Sequence, residues 1–242
     1  MSKPLLVVLT GAGISAESGL ATFRGAGGLW EGHDVMEVAS IDGWHRNPAL
    51  VLLFYNSRRH AAGLAQPNAG HLALAAMERH FDVRIITQNV DDLHERAGST
   101  QVLHLHGKLN ELRSVKNPDL ITPYVKDVLL GDLASDGSQL RPNIVWFGEA
   151  VPMMDVAQRW VREAQAFAVI GTSLQVYPAA GLLYEARADI PKFLIDPSAV
   201  KAAGIPRLQR FAQPATTGVE KMAEVLRNMM DVDCFKRNFI PK

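Results

Sequence analysis

The sequence predicts an α/β protein: a parallel β-sheet with helices on both faces, plus a small domain formed by two insertions. Three observations predict it. Short apolar runs alternate with helical patterns along 242 residues, a glycine turn follows the first run, and the spacing between runs is uneven.

The apolar runs fall at 5–9, 83–87, 101–105, 144–147, 167–170 and 193–195, and each reads as a strand. Helical patterns lie between them near 71–79, 154–164, 179–187 and 218–230. The first run, Leu5-Leu6-Val7-Val8-Leu9, is apolar at every position, as a strand covered on both faces must be. It leads into Thr10-Gly11-Ala12-Gly13-Ile14-Ser15-Ala16-Glu17-Ser18-Gly19. Gly11 and Gly13 let the backbone turn tightly and approach a ligand. Residues 15–20 are expected to open a helix whose N-terminal amides favour a phosphate. Written G-x-G-x-x-A after a strand, this is a dinucleotide-binding fingerprint. A tight turn without a ligand is the alternative.

About 70 residues separate the first two runs, where a plain β-α-β unit needs roughly 30. A helical excursion over 31–66 fills the gap, with Val35, Val38, Ile41, Trp44, Leu50, Leu53 and Phe54 as core candidates. A second excursion spans 108–140. The expected division is therefore 1–30, 67–107 and 141–242 for the large nucleotide-binding domain, and 31–66 with 108–140 for the small one. The ligand cleft is expected between them, at the C-terminal strand ends. A dehydrogenase expects an acid about 20 residues beyond the glycines, ending a second strand. That region is a glycine-rich loop here, and Glu31 lies near the right distance but not on a strand.

Composition narrows the function classes. Hydrophobic residues at 48% and charged residues at 21% describe an ordinary soluble globule. Lys plus Arg (25) balances Asp plus Glu (25), giving no argument for nucleic acid or an anionic membrane. The single cysteine, Cys234, allows neither an intrachain disulfide nor a cysteine zinc site. The chain enters a strand within a few residues and holds no apolar run of membrane length, so a soluble cytoplasmic protein without a signal peptide is expected.

Polar residues gather at the predicted strand ends. Gln88, Asn89 and Asp91 follow the run 83–87 and face the same cleft as the glycine turn. Carboxamides suit ribose hydroxyls, which both donate and accept. Capping of the next helix is the alternative for Asp91 and Asp92, and is the role expected of Asp92. His104 and His106 share one face of a strand, and Gly107 after His106 directs that histidine to the cleft. Imidazole is the natural general base at neutral pH, although a packing role or His-x-His metal ligation without an evident third ligand stays open. Gly171, Thr172 and Ser173 end the run 167–170. Trp146 and Phe147 either line an apolar tunnel or belong to the core.

These motifs together resemble the sirtuins, the NAD-dependent protein lysine deacylases. Gly11-Ala12-Gly13-Ile14-Ser15 with Ser18-Gly19 and Phe23-Arg24, Thr87-Gln88-Asn89-Val90-Asp91, Leu105-His106-Gly107, Arg141-Pro142 with Val145-Trp146-Phe147-Gly148-Glu149, and Gly171-Thr172-Ser173 stand in family order over residues 4 to about 230. The resemblance implies a Rossmann-like fold and a mechanism. NAD would lie with its pyrophosphate at Gly11, Ala12, Gly13 and Ser15, under a loop carrying Phe23 and Arg24. Gln88, Asn89 and Asp91 would hold the nicotinamide ribose and carboxamide, with Asn89 counted as catalytic. The acyl-lysine carbonyl oxygen would displace nicotinamide, and His106 would be the base that activates a ribose hydroxyl. Gly171, Thr172, Ser173, Asp196 and Ala215 would take the phosphate and adenosine side. Val145, Phe147, Gly148 and Glu149 would line the acyl-lysine tunnel and pair with substrate backbone as an added strand. The implied partners are acylated lysine side chains of proteins, and the products free lysine, nicotinamide and O-acyl-ADP-ribose.

Two details refine this resemblance. Tyr55 and Arg58 share a helix face, and a guanidinium beside a phenol suits a carboxylate. The Tyr-x-x-Arg pair marks sirtuins that remove succinyl and malonyl groups, although Arg59 leaves open which arginine faces the site. Sirtuins also carry two Cys-x-x-Cys pairs between the catalytic histidine and the Arg-Pro strand, and residues 108–140 hold none. No structural zinc is therefore expected. Leu109, Leu112, Val115, Leu120, Ile121, Tyr124, Val125, Val128 and Leu129 are the candidates for an apolar core in its place. Protein ADP-ribosyl transfer, hydride transfer and NAD sensing without catalysis are the rival readings.

Overall fold

A computed structural model of the chain describes residues 3–22 and 29–231; Phe23, Arg24 and Cys234 lie outside them. β1 (Leu5–Thr10) is buried along its whole length. Two turns of 3-10 helix, Ala12–Ile14 and Ala16–Ser18, follow it in place of the expected helix over 15–20. Gly19, at φ +85°, closes the second turn. Ser15 makes no side-chain cap and bonds into the cleft instead.

The first insertion begins with a hairpin, β2 (Leu29–Trp30) and β3 (His33–Asp34), turned by Glu31 and Gly32 at positive φ. Helices α1 (Val35–Val38), α2 (Ile41–Arg46) and α3 (Pro48–Leu64) follow, their first amides bonded by the side chains of Asp34, Ser40 and Asn47. Pro48 at the first turn of α3 sits where its missing N–H has no intrahelical partner to lose. Leu53, an expected core residue, is 67% exposed because Leu52 and Phe54 take the buried side of α3.

The chain continues through α4 (Ala69–Met77), β4 (Asp82–Thr87), α5 (Leu93–Arg96), β5 (Val102–His104), β6 (Gly107–Ser114), β7 (Ile121–Pro123), β8 (Leu140–Ile144), α6 (Met154–Glu163), β9 (Ala166–Ile170), α7 (Leu182–Glu185), β10 (Lys192–Ile195), β11 (Leu208–Phe211) and α8 (Ala215–Asp231). Six strands form one parallel sheet in the order β11-β10-β9-β1-β4-β5. The chain leaves β1 toward β4 on one side and returns to β9 on the other. The strand order reverses there, which opens a crevice beyond the carboxyl ends of β1 and β9.

Side chains alternate along the central strands. Leu6, Val8, Ile85 and Phe193 pack with α4 and α8, while Val7, Leu9, Ile86 and Phe167 pack with α6 and α7. A third cluster joins the first insertion to the second sheet through Val38, Phe54, Tyr55, Leu112, Val128 and Trp146.

The run 144–147 is not a strand of the parallel sheet. The strand there is β8, which pairs antiparallel with β6 in a three-stranded sheet, and residues 145–147 leave it as a loop. Apolar content alone does not separate these cases, because the loop packs Trp146 into the third cluster. The expected apolar core of 108–140 is also only partly formed. Leu109, Leu112 and Val128 are buried, whereas Val115, Ile121, Val125 and Leu129 are exposed. Hydrogen bonds hold the rest. Ser114 Oγ donates to Asp136 (2.6 Å) and accepts the amides of Lys116 and Asn117 (3.0 and 2.9 Å), and Ser138 Oγ donates to Asp136 (2.7 Å). From α3, Asn56 brackets both backbone groups of Val128, and Arg59 donates to the carbonyls of Leu109 and Lys126.

Candidate active site

A cavity of about 590 Å³ occupies the crevice at the strand-order reversal. Its floor is the contact between the Gly11–Gly13 turn and Gly171 at the end of β9. Gly13 N–H donates to the Gly171 carbonyl at 2.8 Å. A Cβ on Gly13 would meet Gly171 Cα at 2.7 Å, and one on Gly171, at φ +63°, would meet Ile14 N at 2.3 Å. The glycines are thus required first by the approach of two backbones and second by a ligand.

Polar side chains rise from this floor. Ser15 Oγ donates to Asp91 Oδ2 (3.1 Å) and accepts from Asn89 Nδ2 (3.1 Å). Asp91 Oδ1 accepts the Leu93 amide (3.2 Å), so Asp91, not Asp92, makes the side-chain bond at the start of α5. Burial pushes the Asp91 carboxyl up, and the Leu93 amide and Ser15 oppose that shift. Gln88 Nε2 donates to Thr172 Oγ1 (3.2 Å), linking the ends of β4 and β9.

Two buried histidines that sequence reasoning missed back this network. His71 accepts the Asn68 amide at Nδ1 and places Nε2 3.5 Å from Ser15 Oγ. His94 Nε2 lies 3.0 Å from Thr10 Oγ1, which itself donates to Thr87 Oγ1. The two rings meet edge to face, with centroids 4.9 Å apart. Burial lowers His71 to about 4 and His94 to about 3. His71 reaches Ser15 across 56 residues of chain and His94 reaches Thr10 across 84, contacts that no local motif announces.

His106 stands at the cavity wall just before β6. Its Nδ1 lies 3.0 Å from the Gln88 carbonyl, and a carbonyl only accepts, so Nδ1 carries the proton and Nε2 keeps its lone pair. Burial lowers the His106 imidazole, and the Gln88 carbonyl partly opposes this. Gly107, at φ +81°, follows because a Cβ there would lie 1.9 Å from the Asn143 carbonyl oxygen. β5 ends at His104 and His106 lies in the bend beyond it, so the two do not share a strand face as expected; His104 is held by the Asn89 carbonyl (3.1 Å) and Glu95 (2.8 Å) away from the cavity lining.

On the far wall, Tyr55, Arg58, Trp30, Trp146 and Phe147 surround an aromatic recess. Tyr55 Oη accepts from Trp146 Nε1 at 3.0 Å, which leaves its own proton to donate. Burial raises the phenol far above its ordinary value, so it stays neutral. Arg58 gives one Nη to Glu31 at 2.6 Å, and its Nε is buried without a partner among the described residues.

A model described as the Sir2 family matches residues 11–178. The chain belongs to the Sir2 family. An "NAD-dependent protein deacylase" of Helicobacter pylori (strain J99 / ATCC 700824) is 52% identical over 231 residues, 96% of this chain and 99% of that protein. Another from Helicobacter pylori (strain ATCC 700392 / 26695) is 60% identical over 197 residues, 81% of this chain and 86% of its own. Among solved structures, a Sir2 homolog–NAD complex superposes with a TM-score of 0.83 at 36% identity, covering 95% of this chain and 91% of that one. A Sir2 protein bound to a deacetylated peptide and 3′-O-acetyl ADP-ribose gives 0.76 at 30% identity, covering 92% and 94%.

The cavity of this Sir2 chain is lined by Gly11, Ala12, Gly13, Ser15, Gln88, Asn89, Asp91, His106, Gly171, Thr172, Ser173 and Asp196, and on the far side by Tyr55, Arg58, Val145, Phe147, Gly148 and Glu149. Ala215 is buried at the start of α8 in the core, and its neighbour Pro214 lines the cavity instead. Phe23 and Arg24 lie outside the described residues. Of the paired arginines, Arg58 faces the cavity and Arg59 braces the second sheet. The Glu149 carboxylate is held by Arg141 (2.7 and 3.0 Å), Arg113 (3.1 Å) and the Trp146 amide (2.9 Å), so it shapes the loop. The Phe147 amide and carbonyl bond to Ala39 and Ile41, which removes them from the expected strand pairing with substrate. Among the described residues, no group of His, Cys, Asp and Glu is placed to hold a metal, and no helix is long and apolar enough to cross a membrane.

Proposed function

We propose that this NAD-dependent protein deacylase favours acidic acyl groups, succinyl and malonyl, on protein lysines, and removes acetyl less readily. The observation that carries the reading is the shared cavity: Tyr55 and Arg58 line the same space as His106 and the glycine floor. An acyl carboxylate there meets a neutral phenol and a guanidinium, the kinds of donor a carboxylate accepts.

The cavity fits NAD by its floor and its donors: two glycine turns in contact, with Ser15, Asn89, Asp91, Gln88 and Thr172 above them. When bound, NAD supplies a ribose carbon bearing a cationic leaving group. Asn89 and Asp91, braced by Ser15, orient the ribose. His106 Nε2, unprotonated at neutral pH, takes the proton of a ribose hydroxyl. The aromatic recess excludes water from the acyl group. Val145 and Gly148 flank the lysine stem.

The test is mass spectrometry of succinyl- and acetyl-lysine peptides incubated with protein, with and without NAD. NAD-dependent loss of succinyl with formation of O-succinyl-ADP-ribose is expected. Arg58→Met should lower kcat/KM for the succinyl peptide about 10- to 100-fold, as loss of a charge-assisted bond of about 1.5–3 kcal/mol implies, with little change for acetyl. An equal fall for both peptides refutes the clamp.

A further inference from the structure

We infer that Glu31 is a specificity-determining residue: by neutralising Arg58 it limits the preference for acidic over neutral acyl groups. The inference rests on the acidic-acyl reading above and names what sets its strength. Glu31 is the only described carboxylate on Arg58, at 2.6 Å, with the arginine side chain 8% exposed and the glutamate 46% exposed. The pairing is positioned by backbone. Glu31 and Gly32 are the two positive-φ residues of the β2–β3 turn, so the carboxylate is presented from a tight hairpin. Trp30, beside it, lines the recess and lies under the Arg58 guanidinium, 5.2 Å from carbon to ring centroid.

Glu31 itself is not part of the cavity lining, whereas Arg58 is. The glutamate therefore holds one Nη from outside, while Arg58 lines the cavity that a ligand would enter. In the empty or acetyl-bound site the ion pair is complete, and a nearly buried guanidinium is compensated. An acidic acyl group brings a second carboxylate to the same cation. It gains the positive charge of Arg58 at the cavity wall but meets the negative charge of Glu31 across it, and like charges this close oppose each other. Neutral acyl groups meet no such penalty.

The experiment compares wild type, Glu31→Gln, Glu31→Ala, Arg58→Met and the Glu31→Gln/Arg58→Met double variant on succinyl- and acetyl-lysine peptides, reading kcat and KM separately. Glu31→Gln and Glu31→Ala should each lower KM for the succinyl peptide about 1.5- to fivefold, the range of a half-exposed ion pair. The kcat values and acetyl KM should hold, and the gain should vanish in the double variant. An unchanged succinyl-to-acetyl ratio in both glutamate variants, with the ratio collapsing in Arg58→Met, overturns the role of Glu31 and leaves the clamp standing. A raised succinyl KM in the glutamate variants overturns it too, making Glu31 a support for Arg58. No change in ratio with Arg58→Met removes the clamp itself.

Discussion

Acid should unfold this protein through two histidines behind the catalytic network. His71 and His94 are lowered by burial to about 4 and about 3, from an ordinary 6.5. The unfolded chain therefore takes up two protons as pH falls through 6.5, and the folded chain takes up neither until far lower. Stability is complete above 6.5 and declines as pH drops below it. Between pH 8 and 5 each histidine loses about 2 kcal/mol, most of it below 6.5 at a slope approaching about 1.4 kcal/mol per unit, or about 4 kcal/mol for the pair. That is a large share of the ~5–15 kcal/mol that stabilises an ordinary domain. Asp91, whose carboxyl is raised, acts in the opposite sense and returns part of the loss. Guanidinium unfolding at pH 8 and pH 5, with the slope held constant, reads the difference directly. The His71→Gln/His94→Gln variant should be less stable at pH 8 yet lose several kcal/mol less on acidification. If it loses as much as the parent, the buried pair is not the source of acid sensitivity.

His106→Ala should abolish turnover while NAD binding, measured by calorimetry, persists; substantial residual deacylation would remove the histidine from its role as base. The activity of the parent should hold below the ordinary imidazole value before failing, because burial lowers His106, and a pH–rate profile of kcat/KM checks this. Ser114→Ala removes the acceptor of two backbone amides and the donor to Asp136, and should cost about 1–3 kcal/mol in thermal or denaturant unfolding. Dialysis against a chelator should leave the melting temperature unchanged; a fall would place a metal in the fold.

Much of the site was legible because its residues sit at strand ends, where local sequence decides direction. An all-apolar β1 followed by Gly11 and Gly13, or His106 followed by Gly107, announces a crevice in a few residues. What was not legible depends on contacts between distant segments. The bond from His71 toward Ser15 and the Glu31–Arg58 pair carry no local signature. The helix expected after Gly13 became two short turns because Ser15 bonds to Asp91 and Asn89 rather than to its own backbone. Residues 144–147 looked like a strand since Ile144 and Trp146 are buried, but the Glu149 carboxylate on Arg141 and the Trp146 amide folds that segment into a loop. Leucines over 108–140 suggested a core, and side-chain hydrogen bonds carry much of that load instead.

The strand order also has a consequence for synthesis. β1 is made before β4 and β9 but lies between them in the sheet, with Thr10 beside Thr87 on one side and Ile170 on the other. A nascent chain shorter than residue 166 leaves one edge of β1 open, an apolar ribbon able to pair with any passing strand. The amide of Gly13 has no Gly171 carbonyl to meet until that residue has left the ribosome. A chain that ends before Gly171 therefore lacks half of the cavity floor. Saturating NAD should protect from proteolysis only chains that extend past Gly171.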